Sequence, residues 1–418
     1  MFSQSLPTPP ASINMPFAPT SSDLPPHDSP TIALVHPTAE EKARTWKLNG
    51  SSWRGQLSLD AYLCREEHLA SQPFCRDEGM SFWILVDTAS TGSSRAILAS
   101  CESFRKRALI KRPGKDVQEV VSHGIGSVFC NPEYRGRGYA RRMMNELAKH
   151  LDGWQQKGGE KAYFTVLYSD IGKDFYSKSG WRAFPSRHIA LHPLIEDSKI
   201  SIFNDELPVA DPLHPEQLTE LCKDDEIALC NTLAKPRADK TVISVALIPD
   251  EKVIRWHHAR EEFVANELLG KSPEIKGAIV QGEKGHRVWC LWTRTFGSEK
   301  IGNTMNILRL VIEGEVEELE ESGLTSSRDG LEESHRWQVL AATSVIQSAC
   351  FEAARWGMND VQLWNPTPLT VLAAKKIDPC TEIVERVDES IASLRWHGPE
   401  LDSTTELAWI GNEKYGWC

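Results

Sequence analysis

The sequence predicts an α+β protein built from two similar units, each a mixed, mostly antiparallel sheet flanked by helices. Strand-like and helix-like apolar patterns alternate along the chain, and their order in the second half repeats that in the first. A length of 418 residues with 40% hydrophobic content also suffices for two packed cores. We therefore expect a first domain at residues 31–192, a connector at 193–240 and a second domain at 241–418.

The amino-terminal segment, residues 1–30, differs from the rest of the chain in composition. It contains eight prolines and neither lysine nor arginine. Such a segment forms no regular core element and does not match an arginine-rich transit peptide. We predict a disordered tail.

Charge and composition narrow the classes of partner. A net charge of -11 leaves no broad cationic surface for nucleic acid or an anionic membrane, so a small cationic partner is favoured. No apolar run reaches membrane-spanning length. The ten cysteines form no CxxC pair or Cys/His cluster, which predicts no metal site and the reduced thiols of a cytoplasmic protein.

The first domain begins with the strand IALV, helices near residues 40–48 and 59–69, and the strand SFWILVD. The strands AILASCESF and VQEVVSHGIGSVFC then predict an antiparallel hairpin around a charged turn, KRALIKRPGKD. A helix follows, with Met143, Met144, Leu147 and Leu151 on one face. The strand KAYFTVLY, a short helix and the strand WRAFPSRHIAL complete the domain.

The connector contains a helical pattern, PEQLTELCKDDEIALCNTLAK. In the second domain we expect the following elements in order: the helix EKVIRWHHAREEFVANELL, the strands KGAIV, RVWCLWTRTF and TMNILRLVIE, an acidic insert at residues 313–333, the helix HRWQVLAATSVIQSACFEAARWG, the strand DVQLW, a short helix, and the strands SIASLRWH and ELAWIG.

The segment NPEYRGRGYARRMM joins the hairpin to the next helix. Its glycines, Gly136 and Gly138, allow phosphate oxygens to approach the unpaired N–H groups of a helix amino terminus. Arg135 and Arg137 add charge-assisted hydrogen bonds. The spacing is neither that of a nucleotide-triphosphatase loop nor that of a dinucleotide fingerprint. A pyrophosphate is the predicted ligand.

This segment resembles motif A of the GCN5-related N-acetyltransferases (GNATs), [QR]-x-x-G-x-[GA], with Arg135, Gly138 and Ala140 at the motif positions. The resemblance implies a GNAT-like fold and acetyl-CoA as co-substrate. It places the pyrophosphate on the turn from Arg135 through Tyr139 to Ala140. It also implies that the backbone of the preceding strand binds the pantetheine arm, through Val128, Phe129 and Cys130.

A second stretch, DFYSKSGW, resembles motif B of the same superfamily and puts Tyr176 at the tyrosine position. A phenol near the thioester sulfur can protonate the departing thiolate. More widely, LNGSSWRGQLSLDAYL, HGIGSVFCNPEYRGRGYA, WNPTP and NEKYGWC are similar to the fungal lysine N6-acetyltransferases of lysine degradation. That similarity implies direct acetyl transfer to free L-lysine in a ternary complex. A polyamine, another amino acid, a protein lysine, or acetyl-CoA binding without catalysis stay open as alternatives.

An amine acceptor arrives as an ammonium ion with a pKa of about 10.4, so a base must remove a proton. Glu102 and His123 lie on the two hairpin strands and are both candidates for that base. Gly124 and Gly126 suggest close approach by a ligand between them. Free lysine would also need a partner for its carboxylate; Arg54, Arg260 and Arg294 are all possible, and the choice among them is left open.

The second domain has no R-x-x-G-x-[GA] motif between TMNILRLVIE and its long helix, and the acidic insert takes that place. We therefore expect a degenerate GNAT-like domain that does not bind CoA and shapes the amine pocket. The ending WIGNEKYGWC is apolar, which predicts that it docks against the protein.

Overall fold

The computed structural model describes residues 24–90, 92, 95–156, 162–195, 207–237, 241–282, 286–314, 333–398 and 405–418. The elements of the first half are β1 (Ile32–Val35), α1 (Ala39–Trp53), α2 (Leu59–Ala70), β2 (Met80–Asp87), β3 (Ala99–Lys111), β4 (Val117–Cys130), α3 (Tyr139–Leu151), β5 (Ala162–Ser169), α4 (Asp174–Ser177), β6 (Arg182–Ala183) and β7 (Arg187–Leu191).

The elements of the second half are β8 (Ala210–Leu213), α5 (Leu218–Ala234), β9 (Val242–Leu247), α6 (Glu251–Leu269), β10 (Gly277–Val280), β11 (Val288–Phe296), β12 (Asn303–Ile312), α7 (Glu333–Arg355), β13 (Asp360–Trp364), α8 (Pro368–Ile377), β14 (Val384–Glu385), β15 (Ile391–Trp396) and β16 (Glu406–Trp409). No helix in this described part of the chain is long and apolar enough to cross a membrane.

Two mixed sheets flanked by helices confirm the α+β class. The first sheet has the order β1-β2-β3-β4-β5-β15-β6, with β9 beside β3 and β16 beside β9. The second has the order β14-β7-β13-β12-β11-β10-β8. In each sheet the only parallel pair along this path is the central one, β4 with β5 and β12 with β13, within the described residues.

The two sheets exchange one strand each. β7, from the first half of the sequence, pairs with β13, and β15, from the second half, pairs with β5. The two strands occupy equivalent places, each antiparallel to the strand that follows the central crossover. One core cluster also draws side chains from both sheets, among them Phe164, Trp289 and Leu308. The two halves of the sequence therefore share sheet strands and core residues.

Several predicted element bounds were wrong. Some of these errors follow from the exchange of strands between the sheets, and others from local geometry. The segment WRAFPSRHIAL forms two strands in different sheets, because Pro185 lies between them and cannot donate a ladder hydrogen bond. β3 continues through KRALIK, so the hairpin turn is confined to Arg112–Asp116. The connector contributes β8 to the second sheet and the helix α5.

The tail predicted for residues 1–30 extends too far, because residues 24–30 have a described structure. Leu24 is buried in the cluster that holds Met143 and Met144 of α3, and the chain is described from Leu24 onward. The predicted tail before this residue and nearly all of the acidic insert lie outside the described residues. The docked ending is confirmed, because Tyr415 is fully buried and its hydroxyl donates to the Leu247 carbonyl at 2.7 Å.

Candidate active site

The hairpin of β3 and β4 is interrupted where the site forms. Ser100 lies opposite Phe129 and Glu102 opposite Gly126, so β4 carries one extra residue between these pairs. Ser127 within this bulge has a φ of 51°, a left-handed conformation that costs a non-glycine residue about 1–3 kcal/mol. Bulges of this kind re-aim side chains. Here the bulge turns the Ser127 hydroxyl toward Glu102.

Glu102 is buried and hydrogen-bonded through both carboxylate oxygens. Its Oε2 accepts from Ser127 Oγ at 2.6 Å, and its Oε1 accepts from Trp46 Nε1 at 3.2 Å. Burial, reinforced by the nearby Glu66 carboxylate, raises the pKa of Glu102 to about 7, although the two hydrogen bonds oppose this shift. A carboxyl group with this pKa can exchange a proton near neutral pH.

The central parallel pair ends before β4 does. β5 pairs with β4 from Val121 to Ile125, and no pairing with β5 is recorded for the rest of β4, all of it within the described residues. The backbone groups of Val128 and its neighbours that face β5 are therefore left for another partner, because buried N–H and C=O groups require one. Amide groups of an extended pantetheine arm fit this requirement.

The turn after β4 presents backbone donors at the start of α3. Gly136 and Gly138 have φ values of 78° and 85°, a region that favours glycine. Gly138 is the residue before α3, and no side chain caps the helix there. The first turn of α3 therefore has no N-cap side chain and lines the cavity, which fits the predicted pyrophosphate.

The segment from Leu24 to His27 lies against this turn. Arg137 donates to the Leu24 carbonyl at 2.8 Å, and the Tyr139 hydroxyl donates to the Pro25 carbonyl at 2.6 Å. A Cβ atom added to Gly138 would lie 2.8 Å from His27 Cγ. The amino-terminal segment thus forms one wall of the phosphate turn.

A cavity of about 830 Å³ connects the turn to the bulge and continues toward the second half of the chain. The predicted residues that line it are Glu102, Val128, Phe129, Cys130, Arg135, Gly136, Gly138, Tyr139, Ala140 and Tyr176. Arg137 is the one predicted cofactor residue outside this lining, because its side chain is turned to Leu24. The structure therefore brings together most of the predicted site.

Tyr176 lies at the cavity wall beneath Phe175, whose ring meets it edge-on at 4.9 Å between centroids. Its side chain is largely buried, and burial raises the pKa of the phenol far above neutrality. In the described part of the chain no residue hydrogen-bonds to its hydroxyl. Tyr176 is consequently a protonated donor that faces the cavity.

The assignment of His123 as a base does not agree with its position. Directly opposite residues of an antiparallel pair share a face, so Gly126 shares a face with Glu102, and His123, three residues earlier, points to the other one. The His123 ring is fully buried, bonds Gln155 through Nε2 at 3.1 Å and does not line the cavity. Burial lowers its pKa to about 4. A structural role fits this histidine.

Sequence reasoning did not place the inner end of the cavity, although Arg260 was one of its three candidates for the carboxylate partner. Helix α2 contributes Tyr62, Arg65 and Glu66, and helix α6 contributes Trp256 and Arg260. Trp417 and Cys418 close the same end, and a Cβ atom on Gly126 would lie 3.0 Å from the Cys418 carbonyl oxygen. The two helices are distant in sequence from the motif, so no local pattern marks these residues.

Comparison with known proteins agrees with this geometry. The family described as LYC1 GNAT-like C-terminal domain matches residues 194–418, and the family described as Acetyltransferase (GNAT) family matches residues 98–181. The first match covers more than half of the chain. The chain belongs to the LYC1-type GNAT family. It is therefore a GNAT acetyltransferase, and the matched region 98–181 contains the bulge, the phosphate turn and Tyr176.

Two yeast proteins are similar over much of their length. One from Saccharomyces cerevisiae, named Uncharacterized protein YGR111W, is 21% identical over 94% of this chain and 98% of its own. One from Yarrowia lipolytica, named Lysine acetyltransferase, is 23% identical over 65% of this chain and 74% of its own.

Solved structures match at low identity. A GCN5-related N-acetyltransferase from Kribbella flavida has a TM-score of 0.48 at 14% identity, and the match covers 90% of this chain and 73% of that one. An N-myristoyltransferase from Saccharomyces cerevisiae with bound myristoyl-CoA has a TM-score of 0.47 at 9% identity, with 93% and 86% covered.

Proposed function

We propose that this GNAT enzyme transfers an acetyl group directly from acetyl-CoA to the N6 amine of free L-lysine in a ternary complex. The observation that carries the proposal is the single cavity that joins the phosphate turn to a buried carboxyl group, Glu102, and a protonated phenol, Tyr176. The Yarrowia relative named Lysine acetyltransferase supports the choice of acceptor. Acetyl-CoA would supply the acyl group as a thioester.

Residues of the first half would hold the co-substrate. The N–H groups at the start of α3 and the Arg135 guanidinium would bind the pyrophosphate. The unpaired edge of β4, from Val128 to Cys130, would bind the pantetheine amides. Cys130 itself is a strand residue whose thiol donates to the Leu98 carbonyl, so we assign it no covalent role.

Glu102 is the proposed base. The side-chain amine of lysine must lose a proton before it can attack, and a carboxylate whose pKa lies near 7 is ionised at slightly alkaline pH yet basic enough to share that proton. Ser127 and Trp46 hold the carboxylate in place. They leave it at the cavity wall, where an ammonium group would neutralise its buried charge.

Tyr176 is the proposed acid. Because burial keeps the phenol protonated, its hydroxyl can donate a proton to the departing thiolate without a prior ionisation step. It lies on the short helix α4 and lines the same cavity as the end of β4.

The direct test measures free CoA released from acetyl-CoA by the purified full chain. L-lysine, ornithine, arginine, spermidine and no amine serve as parallel acceptors, and mass spectrometry with fragmentation locates the acetyl group on the product. We expect release that depends on L-lysine and product acetylated at N6. Release with spermidine or ornithine alone would replace lysine by that amine, and release with no acceptor at all would contradict the proposal.

A further inference from the structure

The inner end of the cavity carries both signs of charge. Glu66, Glu102 and Asp170 line the cavity as acidic groups, and Arg65 and Arg260 line the inner end as basic groups. An acceptor with cationic groups only, such as a polyamine, would match the carboxylates but offer no anionic group to the arginines. The mixture suits a ligand that is itself zwitterionic at one end.

Arg260 is the inner-end arginine without a hydrogen-bonded or ion-paired carboxylate among the described residues, although the Glu66 carboxylate is near enough to favour its charge. Its guanidinium lies over the Trp417 ring at 5.3 Å, and no hydrogen bond or salt bridge to it is recorded among the described residues. Lys414 Nζ lies over the same ring, 4.4 Å from its centroid. Burial and the neighbouring Arg65 lower the pKa of Arg260 to about 10, so the group stays charged at neutral pH in an environment that penalises the charge.

The other arginines that could bind the ligand carboxylate either lie outside the cavity or already have a partner. Arg294 is fully buried between Glu261 at 3.0 Å and Glu352 at 2.6 Å, and it does not line the cavity. Arg54 is exposed and also lies outside the lining. Arg65 donates to Glu66 and to the Trp53 carbonyl. Among the described residues, Arg260 is therefore the basic group at the inner end that is left for a ligand carboxylate.

Glu66 offers the complementary acceptor. Both hydrogen bonds from Arg65 end on its Oε1, at 2.9 and 2.6 Å, and none is recorded for its Oε2 in the part of the chain that the structure describes. The ion pair with Arg65 fixes the orientation of the carboxylate. Its second oxygen can accept from an ammonium group that enters beside Arg260.

We infer that Arg260 binds the carboxylate of the acceptor and that Glu66 binds its α-ammonium group, so the acceptor is a free amino acid and not a polyamine or a protein side chain. This inference rests on the proposed acetyl transfer to an amine and assigns the residues that select the acceptor. Arg260 and Glu66 come from α6 and α2, so both halves of the chain contribute to the selection.

The test compares kcat/KM for L-lysine with that for 1,5-diaminopentane, which has the same amine chain without the carboxylate, and for L-lysinamide. In the wild-type enzyme we expect L-lysine to be preferred by about 10- to 100-fold, the range of a charge-assisted hydrogen bond. In Arg260→Gln that preference should fall to within about threefold, mainly through KM for L-lysine, while kcat/KM for 1,5-diaminopentane stays within about twofold.

Controls separate this role from a structural one. Arg54→Gln, at an exposed arginine outside the cavity, should keep the full preference, and Arg260→Lys should restore part of it. Equal wild-type rates with L-lysine and 1,5-diaminopentane would overturn the inference even if Arg260→Gln failed to fold. A uniform loss with both acceptors in a folded Arg260→Gln enzyme would overturn it too. Wild-type enzyme that acetylates no amine would overturn the proposed function itself.

Discussion

The two halves of the molecule share a strand order, yet they differ in what occupies the end of the central strand. In the first half, β4 runs beyond β5 and its outer edge faces the cavity. In the second half, the N–H of Leu310 on β12 donates to Glu413 Oε2 at 3.1 Å. A side chain from the carboxyl-terminal segment thus fills the place where the first half is open.

The bulges in β4 and β12 show the same difference between the two halves. Both central strands carry one extra residue, but β4 has Ser127 and faces Glu102, whereas β12 has the buried Leu308 near Trp292. Helix α4, which follows β5, carries Tyr176. Its counterpart α8, which follows β13, has the mostly apolar sequence PLTVLAAKKI. The same framework therefore forms a polar, open site in one half and an apolar core in the other.

The first change makes the Glu102 site resemble its counterpart. Glu102→Gln removes the base while it keeps an acceptor for Ser127 and Trp46, so kcat should fall about 10²- to 10⁴-fold. In the wild type, kcat/KM should rise with pH as Glu102 loses its proton and level off above about 7, because the ionised form is the active one. The variant should lack this rise; a wild-type rate that falls through the same range would contradict the role.

The second change removes the phenol that the other half lacks. Tyr176→Phe keeps the buried ring and its packing against Phe175, so acetyl-CoA affinity should stay nearly constant. We expect kcat to fall about 10²-fold, since a general acid contributes at least this much. Phe175→Leu serves as a packing control and should affect kcat less. Unchanged turnover in Tyr176→Phe would mean that water or another group protonates the thiolate.

The third change opens the filled half. Glu413→Ala breaks a largely buried ion pair with Arg309, whose contact with Asp225 at 2.8 Å remains. We expect the free energy of unfolding in urea to fall by about 2 kcal/mol, between the values for exposed and fully buried pairs. Glu119→Ala, at an exposed ion pair with Arg107, should cost less than about 1 kcal/mol. Equal losses in the two variants would deny the structural role of Glu413.

The fourth change closes the open half. Gly138→Val places a β-branched side chain at a φ of 85° and against His27, so the phosphate turn must distort. KM for acetyl-CoA should rise about tenfold or more, with a smaller effect on KM for the amine. Gly153→Val, where an added Cβ meets nothing within 4 Å, is the matched control. Similar kinetics in both glycine variants would remove the phosphate turn from the account.

The smallest effect on kinetics is expected from deleting the amino-terminal segment that forms one wall of the phosphate turn. Removing residues 1–30 deletes the carbonyl acceptors of Arg137 and Tyr139, two hydrogen bonds of about 1 kcal/mol each. KM for acetyl-CoA should rise a few-fold. Removing residues 1–22 keeps Leu24 and Pro25 and should have no effect. A rise of the same size in both truncations would show that the described contacts are not responsible.

Local patterns predicted most of the first half, and distant contacts account for what they missed. The apolar face of α3 and the hairpin of β3 and β4 follow from short-range periodicity and turn residues. The pairing of β7 with β13 joins residues some 170 positions apart, which no local signal encodes. Arg260 belongs to the site only because α6 packs beside α2.

The error over His123 had a different origin. The sequence places it near Glu102 along the hairpin, but alternation along β4 puts it on the opposite face. That face is set by the hairpin register, which runs without interruption from Lys111 opposite Val117 to Glu102 opposite Gly126, on the turn side of the bulge at Ser127. For the acceptor end, the sequence offered Arg260 only as one of three arginines, and a net charge of -11 gave no hint of which of them would line the cavity.

The number of CoA molecules bound per chain tests the contrast between the halves most directly. Isothermal titration calorimetry of the full chain with acetyl-CoA, without any amine, should give one site per chain, because among the described residues an open strand edge meets a glycine turn in the first half and not in the second. The same titration of Gly138→Val should show that one site weakened. Two sites in the wild type, or one site that Gly138→Val leaves unaffected, would contradict the account.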